Sequence, residues 1–481
     1  MSFLGASNSI DLLGRQVAEH RSMKLQDPRA TNWPSVVSGN LFIDRSLVWA
    51  KKLRAAVSDV NSPIVILMRL GVEPASLLFG ALQAGLFPIL MKPATPVHLL
   101  IEAARETHCF LVAVPVSLKG EIAKLGFVLV SGNQDYAILR VPYPLLPHSQ
   151  LPREPLIGIL SSGSTGKPKI IVHTLDRVLH NAKLHADSVG LLADDTVALT
   201  LPLNFSAGLV AGLLSTLITG ANGVFLDTQK VSPRRLLTNY KISVCMATPA
   251  TVMNLYDPLT LGKARLVTVG GDSLNYRVAS ELVKNCGPNT KIYSTYGMTE
   301  AGPRISSSIV TQEVLECFNA VPLGEPLEGV ELELKPTGPD QYAEELYVHT
   351  PTAMYGYLDR ASDISNCQDR PFGTIRTGDL FKVVNDGLLF AGRSGRLIVR
   401  GGENIYPSVI ESAILKYLDI DDVWVTSEPD EKLGQVAKAY VVGDKKFDIN
   451  YMSRRLRRFL PSSYIPAIWE YAEKLPAQAK K

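Results

Sequence analysis

Two glycines, four hydroxyl side chains and two lysines fall within nine residues, Ser161-Ser-Gly-Ser-Thr-Gly-Lys-Pro-Lys169. Successive glycines let backbone N–H groups converge on one anion. Ser161, Ser162, Ser164 and Thr165 add hydroxyl donors around Gly163 and Gly166, and Lys167 and Lys169 add positive charge. The set suits phosphate. It is not the widespread ATP loop G-x-x-x-x-G-K-[S/T]. Ser161 stands at that loop's first glycine, and Pro168 replaces its magnesium-binding hydroxyl while pushing Lys167 out of helical geometry. A flexible Ser/Gly linker would have the same composition. Against a linker, an apolar strand pattern, Leu156–Leu160, leads directly in and another, Ile170–Val172, leads directly out, which makes the segment a hairpin tip.

The elements that must hold such a loop are apolar strands spaced by helix-length segments. Strand patterns lie at Pro63–Met68, Phe87–Met91, Thr196–Thr200, Gly223–Leu226, Val244–Ala247, Leu266–Val269 and Lys291–Tyr293, with a helix over Pro74–Ala84. Strands this apolar predict parallel sheets covered on both faces. A proline-rich connector, Val141–Pro155, precedes the loop. From about Val330 the texture turns to alternating strands (Val330–Leu334, Glu345–Val348, Leu388–Phe390), a β-rich subdomain. A small α/β unit follows Arg393, with strands at Asp422–Val425 and Ala437–Val442. The expected fold is therefore α/β: a large N-terminal domain over 1–393 with two mostly parallel sheets covered by helices and a β-rich subdomain at about 325–393. A small mobile α/β domain occupies 394–481, with a hinge near 393–395.

Bulk numbers narrow the function. A chain of 481 residues exceeds one core. Lys plus Arg at 49 against Asp plus Glu at 46 is too balanced to imply nucleic-acid binding. The five cysteines lack CxxC spacing, which fits reduced thiols in a cytoplasmic protein and no zinc site. No signal peptide is expected from Met1–Asp11, which has neither a basic start nor a long apolar run. No charge falls between Asp195 and Asp227, a span long enough for a membrane helix, yet its prolines, asparagines and glycines make it read as strand, loop, helix, strand in a buried core.

Ordered motifs carry a resemblance beyond the loop. Phe79–Gly85, Gly270-Gly-Asp-Ser-Leu274, Tyr296-Gly-Met-Thr-Glu300, Glu345–Leu358, Arg376-Thr-Gly-Asp379 and Gly392–Pro407 follow one another between about residues 79 and 407. Together with the Ser161–Lys169 loop and the closing Leu475-Pro476 they resemble the adenylate-forming (AMP-binding) superfamily of acyl- and aryl-CoA synthetases, luciferase and peptide-synthetase adenylation domains. Singly, a Thr-Glu pair is a helix N-terminal feature, a Thr-Gly-Asp a turn and a lone arginine a surface ion pair; their order makes the set specific.

The resemblance implies a ligase that uses ATP and Mg²⁺ to join a carboxylic acid to AMP, releasing pyrophosphate, and then passes the acyl group to a thiol, most simply CoA. An amine or a carrier protein is the alternative acceptor. A degenerate nucleotide-binding protein without turnover is the alternative of another class. No nucleic-acid or membrane partner is implied. By the same resemblance Ser161–Lys169 covers the β- and γ-phosphates, Thr299 bonds the phosphates, Glu300 holds Mg²⁺, and Asp379 accepts the ribose hydroxyls with Arg393 in support. Gly270, Gly271 and Asp272 line the adenine with Tyr296 stacked on it, and Gly297, Met298, Phe205 and Ser206 border the acid.

Three departures qualify this. Phe205 stands where many members have histidine, and Ser206 where amino-acid-activating members have an aspartate. A buried ammonium would lack its counter-ion there, so a non-amino aromatic or aliphatic acid is preferred. Gly395 replaces a charged hinge residue. The chain's closing segment, Leu475–Lys481, lacks the family's glycine before its catalytic lysine, so that Lys480 or Lys481 either serves in its place or forms a frayed basic end. Arg304, just after the Thr-Glu pair, is placed to meet a second polar group on the acid. Four arginines in Arg454–Arg458 read as a solvated helix face or as an attraction for the phosphates of CoA or for an acidic carrier.

Overall fold

The computed structural model describes residues 8–20, 22–28, 35–57, 59, 61–142, 154–160, 169–226, 240–249, 252, 261, 263–336, 343–358, 364–366, 373–401, 403–443, 448–476 and 479. Ser161–Pro168, Lys480 and Lys481 lie outside the described residues.

Among the described residues the strands assemble into four sheets. The first has nine strands in the spatial order Glu325–Pro326, Arg304–Ile309, Lys291–Gly297, Leu266–Gly270, Val244–Ala247, Thr196–Leu199, Asn222–Phe225, Lys24–Gln26, Val36–Ser38. Its centre is parallel and its two ends are antiparallel. The second, also nine-stranded, runs Ile364–Asn366, Gly356–Leu358, Ile170–Thr174, Leu156–Leu160, Phe87–Met91, Pro63–Leu67, Leu111–Pro115, Tyr136–Arg140, Val128–Gly132. A four-stranded antiparallel sheet (Glu331–Pro336, Glu344–His349, Thr374–Val384, Gly387–Arg393) is the expected β-rich part. The small C-terminal α/β domain carries the fourth sheet, with Asp422–Asp430 and Gly434–Val442 as its long pair.

The unbroken apolar strands follow from burial on both faces. In Pro63–Leu67, Ile64 and Ile66 enter one core while Val65 and Leu67 enter another. In the other nine-stranded sheet Val197, Val244 and Met246 enter that same first core, and Ala198, Cys245 and Ala247 enter a third. One helical layer is therefore shared between the two sheets, and every central strand must be apolar at consecutive positions. Within that layer the helices Gly39–Arg54 and Val72–Gln83 approach closely: a Cβ on Gly80 would lie 2.4 Å from the Trp49 Cβ.

The charge-free stretch resolves as expected into strand, loop, helix and strand, with one addition. Ala207–Leu214 is a π-helix that continues into the α-helix Ser215–Thr219. Among the described residues no helix is long and apolar enough to cross a membrane.

Candidate active site

The strand Lys291–Gly297 ends the parallel run and returns antiparallel as Arg304–Ile309, so its connection sits at the carboxyl edge of the sheet, where open α/β folds place ligands. Glycine is required at 297 because an added Cβ would lie 1.9 Å from the Pro303 carbonyl oxygen. The turn is then pinned by its backbone. His173 Nε2–H donates to the Thr299 carbonyl (2.8 Å) and the Met354 N–H to the Glu300 carbonyl (2.7 Å). The Thr352 hydroxyl donates to the Ala301 carbonyl (2.9 Å). The Asn181 side chain donates to the Arg304 carbonyl and accepts from the Arg304 N–H, both at 2.9 Å. Three separate segments thus fix a loop with little regular structure of its own.

This pinning presents Thr299 and Glu300 together. The Thr299 hydroxyl lies 2.9 Å from that of Ser206, at the entry to the π-helix. Glu300 Oε1 accepts from the Tyr357 hydroxyl (3.1 Å), and the Lys169 ammonium stands 5.1 Å from the centre of the same tyrosine ring. Lys169 emerges from the hairpin, whose strands pair antiparallel with Leu160 opposite Ile170. The rest of the loop, Ser161–Lys167 and Pro168, falls outside the described residues, as do Lys480 and Lys481. The two ends of the loop nonetheless lie on paired strands.

A second cluster lies on the Tyr296 side of the strand. The buried Asp379 accepts the Tyr296 hydroxyl at Oδ2 (2.7 Å) and Arg393 Nε at Oδ1 (2.9 Å). Its own N–H donates to the Thr377 hydroxyl, and Gly378 takes φ +72, so the turn needs glycine. Burial pushes the Asp379 carboxyl up, against the opposing pull of Arg393, and pushes the Tyr296 phenol well above its usual value. Each carboxylate oxygen keeps a second lone pair, so both remain able to accept a diol.

Gly270 faces Thr295 across the sheet, and a Cβ there would lie 2.3 Å from the Thr295 hydroxyl. Gly271 has φ +86, and the Asp272 carboxylate caps the Ser273 N–H at 2.7 Å. Phe205 is partly exposed beneath the Lys92 ammonium, 5.3 Å from the ring centre, and Met298 leans on the core that contains Ala301 and Ile305. At the expected hinge, Ser394–Arg396 forms a 3₁₀ turn, and an added Cβ on Gly395 would meet nothing within 4 Å among the described residues. Arg396 pairs with Glu411 (2.6 Å) inside the small domain.

The pinning residues His173, Asn181 and Thr352, and the bridging Tyr357 and Lys92, were not singled out from the sequence. Thr352 and Tyr357 alone had a signal, being inside the Glu345–Leu358 motif.

Two buried imidazoles have a measurable consequence. Burial pushes His173 down to about 4, and pushes His185, whose ring nitrogens have no hydrogen-bond partner among the described residues, well below 6.5. Both are neutral when folded, whereas the unfolded chain takes up their protons below pH 6.5. Their stability contribution is complete above about pH 6.5 and falls as the pH drops toward the folded values, by ~1.4 kcal/mol per pH unit per imidazole. Urea unfolding between pH 7 and pH 5 should show this loss, and a His185→Leu variant should show a slope smaller by about one proton.

The sequence model of the AMP-binding enzyme family matches residues 43–358. A 2-succinylbenzoate–CoA ligase of Lactococcus lactis is 28% identical over 417 residues, 84% of this chain and 86% of its own length. The salicyl-AMP ligase / salicyl-S-ArCP synthetase of Mycobacterium tuberculosis is 28% identical over 77% of this chain and 70% of its own. Among solved structures, ATP-bound MatB from Rhodopseudomonas palustris superposes with TM-score 0.80 at 21% identity, covering 97% of this chain and 95% of that one. O-succinylbenzoate coenzyme A synthetase from Bacillus subtilis, solved with ATP and magnesium ion, gives 0.77 at 21% identity, covering 97% of each chain.

Proposed function

This chain belongs to the AMP-binding enzyme family, and from that premise we propose that it is a Mg-ATP-dependent ligase that adenylates a non-amino carboxylic acid and transfers the acyl group to CoA. The observation that carries the reading is the pinned Thr299–Glu300 turn, set between Lys169 and Ser206 on one side and the Asp379–Tyr296–Arg393 cluster on the other.

In the proposed reaction the acid's carboxylate attacks the α-phosphorus of ATP and pyrophosphate leaves. A thiolate then attacks the acyl carbonyl of the adenylate, and AMP leaves. Phosphoryl transfer asks for alignment and charge neutralisation more than for a covalent protein group. Asp379 receives the ribose hydroxyls, with Arg393 and Tyr296 fixing its orientation. The Gly270–Asp272 turn and Tyr296 enclose the base. Thr299, held by Ser206, and the lysines of the Ser161–Lys169 loop meet the phosphates, and Phe205, Gly297 and Met298 wall the acid.

Glu300 fits a magnesium ion by chemistry. It is a hard oxygen donor, and among the described residues no cluster of three or more His, Cys, Asp or Glu forms a closed metal cage. Magnesium is held by one or two carboxylates plus substrate phosphates. When bound, it supplies neutralisation of the β- and γ-phosphoryl charge. The small domain, 394–481, turning about Gly395, would exchange the acid-activating and thiol-accepting arrangements, with Lys480 or Lys481 reaching the α-phosphate in the first.

Relatives named for CoA transfer support CoA as acceptor, and the mycobacterial relative's name makes a carrier-protein thiol the next choice. Pyrophosphate release from Mg-ATP over a panel of aromatic and aliphatic acids tests the first step. Product mass after adding CoA, a carrier protein or amines tests the second. A thioester with CoA is expected. ATP binding without pyrophosphate release from any acid would point to a nucleotide-binding protein without turnover, and an amide alone would replace the thiol by an amine.

A further inference from the structure

Arg304 is buried, with 6% of its surface exposed, and its Nε is sealed from solvent without a hydrogen-bond partner. Among the described residues its guanidinium has neither a hydrogen bond nor an ion pair. Its two hydrogen bonds with the Asn181 side chain are both made by the Arg304 backbone. A guanidinium does not shed its charge at neutral pH. Even with burial pushing this one down to about 10, it stays protonated. An uncompensated buried cation costs folding free energy. The groups packed around it do not compensate it. His185 is neutral, the Thr295 hydroxyl is directed to the Val269 carbonyl, and Asn181 spends its amide on the Arg304 backbone and on Thr352.

The guanidinium is also placed. Arg304 pairs with Gly297 in register, and Nη1 lies 2.8 Å from where a Cβ of Gly270 would be, so glycine at 270 leaves it room. Thr295, Gly297 and Gly270 are on its side of the strand, whereas Tyr296 turns to the other side and Asp379. Gly297, its partner across the strands, is one of the residues proposed to wall the acid.

We propose that Arg304 recognises a second carboxylate on the acid substrate, so that the enzyme's substrates are dicarboxylic. A fixed, planar guanidinium binds a carboxylate through two parallel hydrogen bonds, and the incoming anion would supply the counter-charge that the described fold lacks. The inference rests on the ligase reading and narrows its substrate class.

The test compares matched acids that differ by one carboxyl (butanoate and glutarate, hexanoate and pimelate, benzoate and its carboxylated isomers) in pyrophosphate release by the wild type, Arg304→Met and Arg304→Lys. In parallel, calorimetry measures diacid binding without ATP. The wild type should favour the diacid of at least one pair by ~30-fold or more in kcat/KM, the scale of a desolvated charge pair. Arg304→Met should abolish that preference and the calorimetric binding, and Arg304→Lys should restore part of both. Arg304→Met should also melt no lower than the wild type, since it removes an unpaired buried charge. Equal use of monoacids and diacids by the wild type, or an equal loss for both in Arg304→Met, overturns the assignment. If no acid of either kind releases pyrophosphate, the ligase reading fails. Calorimetry then decides separately: diacid binding that needs Arg304 upholds the carboxylate site, and its absence overturns it.

Discussion

Glu300→Gln is expected to lower pyrophosphate release by ~10²–10³-fold at fixed Mg-ATP and to raise the magnesium concentration needed for half-maximal rate, the scale on which one preorganised electrostatic contact acts. The fold should not register the change. Glu300 accepts the Tyr357 hydroxyl at 3.1 Å, and a glutamine carbonyl accepts the same bond. Its backbone carbonyl, bonded by the Met354 N–H, is untouched. What disappears is a full negative charge beside a site built to receive phosphate and a divalent cation. Unaltered turnover would place the magnesium carboxylate elsewhere, whereas a lower melting temperature would mean that the charge serves the Tyr357 contact and not the reaction.

The turn that carries Glu300 also marks the limit of what could be read from residue order. Strand patterns at Phe87–Met91, Val244–Ala247 and Leu156–Leu160 coincide with the strands found, because apolar runs this short fit strands covered on both faces better than a buried helix. Glycines 270 and 297 were legible as motif members. Their physical reason, a neighbour at 2.3 Å or less from any Cβ, needed the paired strands.

His173 and Asn181 were illegible for a related reason. Each lies more than 100 residues from the turn it holds, and a lone polar residue at the end of an apolar strand or within a helix has no spacing partner. Their contribution is to backbone groups, which any side-chain motif overlooks. The π-helix at Ala207–Leu214 was equally hidden, since a charge-free run specifies burial and not the number of residues per turn. Gly208 records it indirectly: its Cβ would lie 2.3 Å from the Pro202 carbonyl oxygen, so the chain folds back tightly beside Phe205 and Ser206.

Asn181→Leu tests whether the remote pinning matters. Asn181 is fully buried, and leucine keeps its branching at Cγ while opening no cavity, so the change removes the hydrogen bonds. The Arg304 N–H and carbonyl would both remain buried without their present partner, at about 1–3 kcal/mol each. A destabilisation of ~3 kcal/mol is expected, with the large domain's thermal transition lowered on the order of 10 °C. Activity should fall further than the folded fraction does. The strand start at Arg304 and the Thr352 hydroxyl, which Asn181 also contacts at 3.0 Å, together set where Ala301 and hence Glu300 sit. A displacement of ~1 Å at the reacting groups costs ~10²-fold in rate. Pyrophosphate release measured well below the variant's melting point separates the two effects. A full rate there, with lowered stability, would mean that His173 and Met354 alone hold Thr299 and Glu300, and that Asn181 serves the fold.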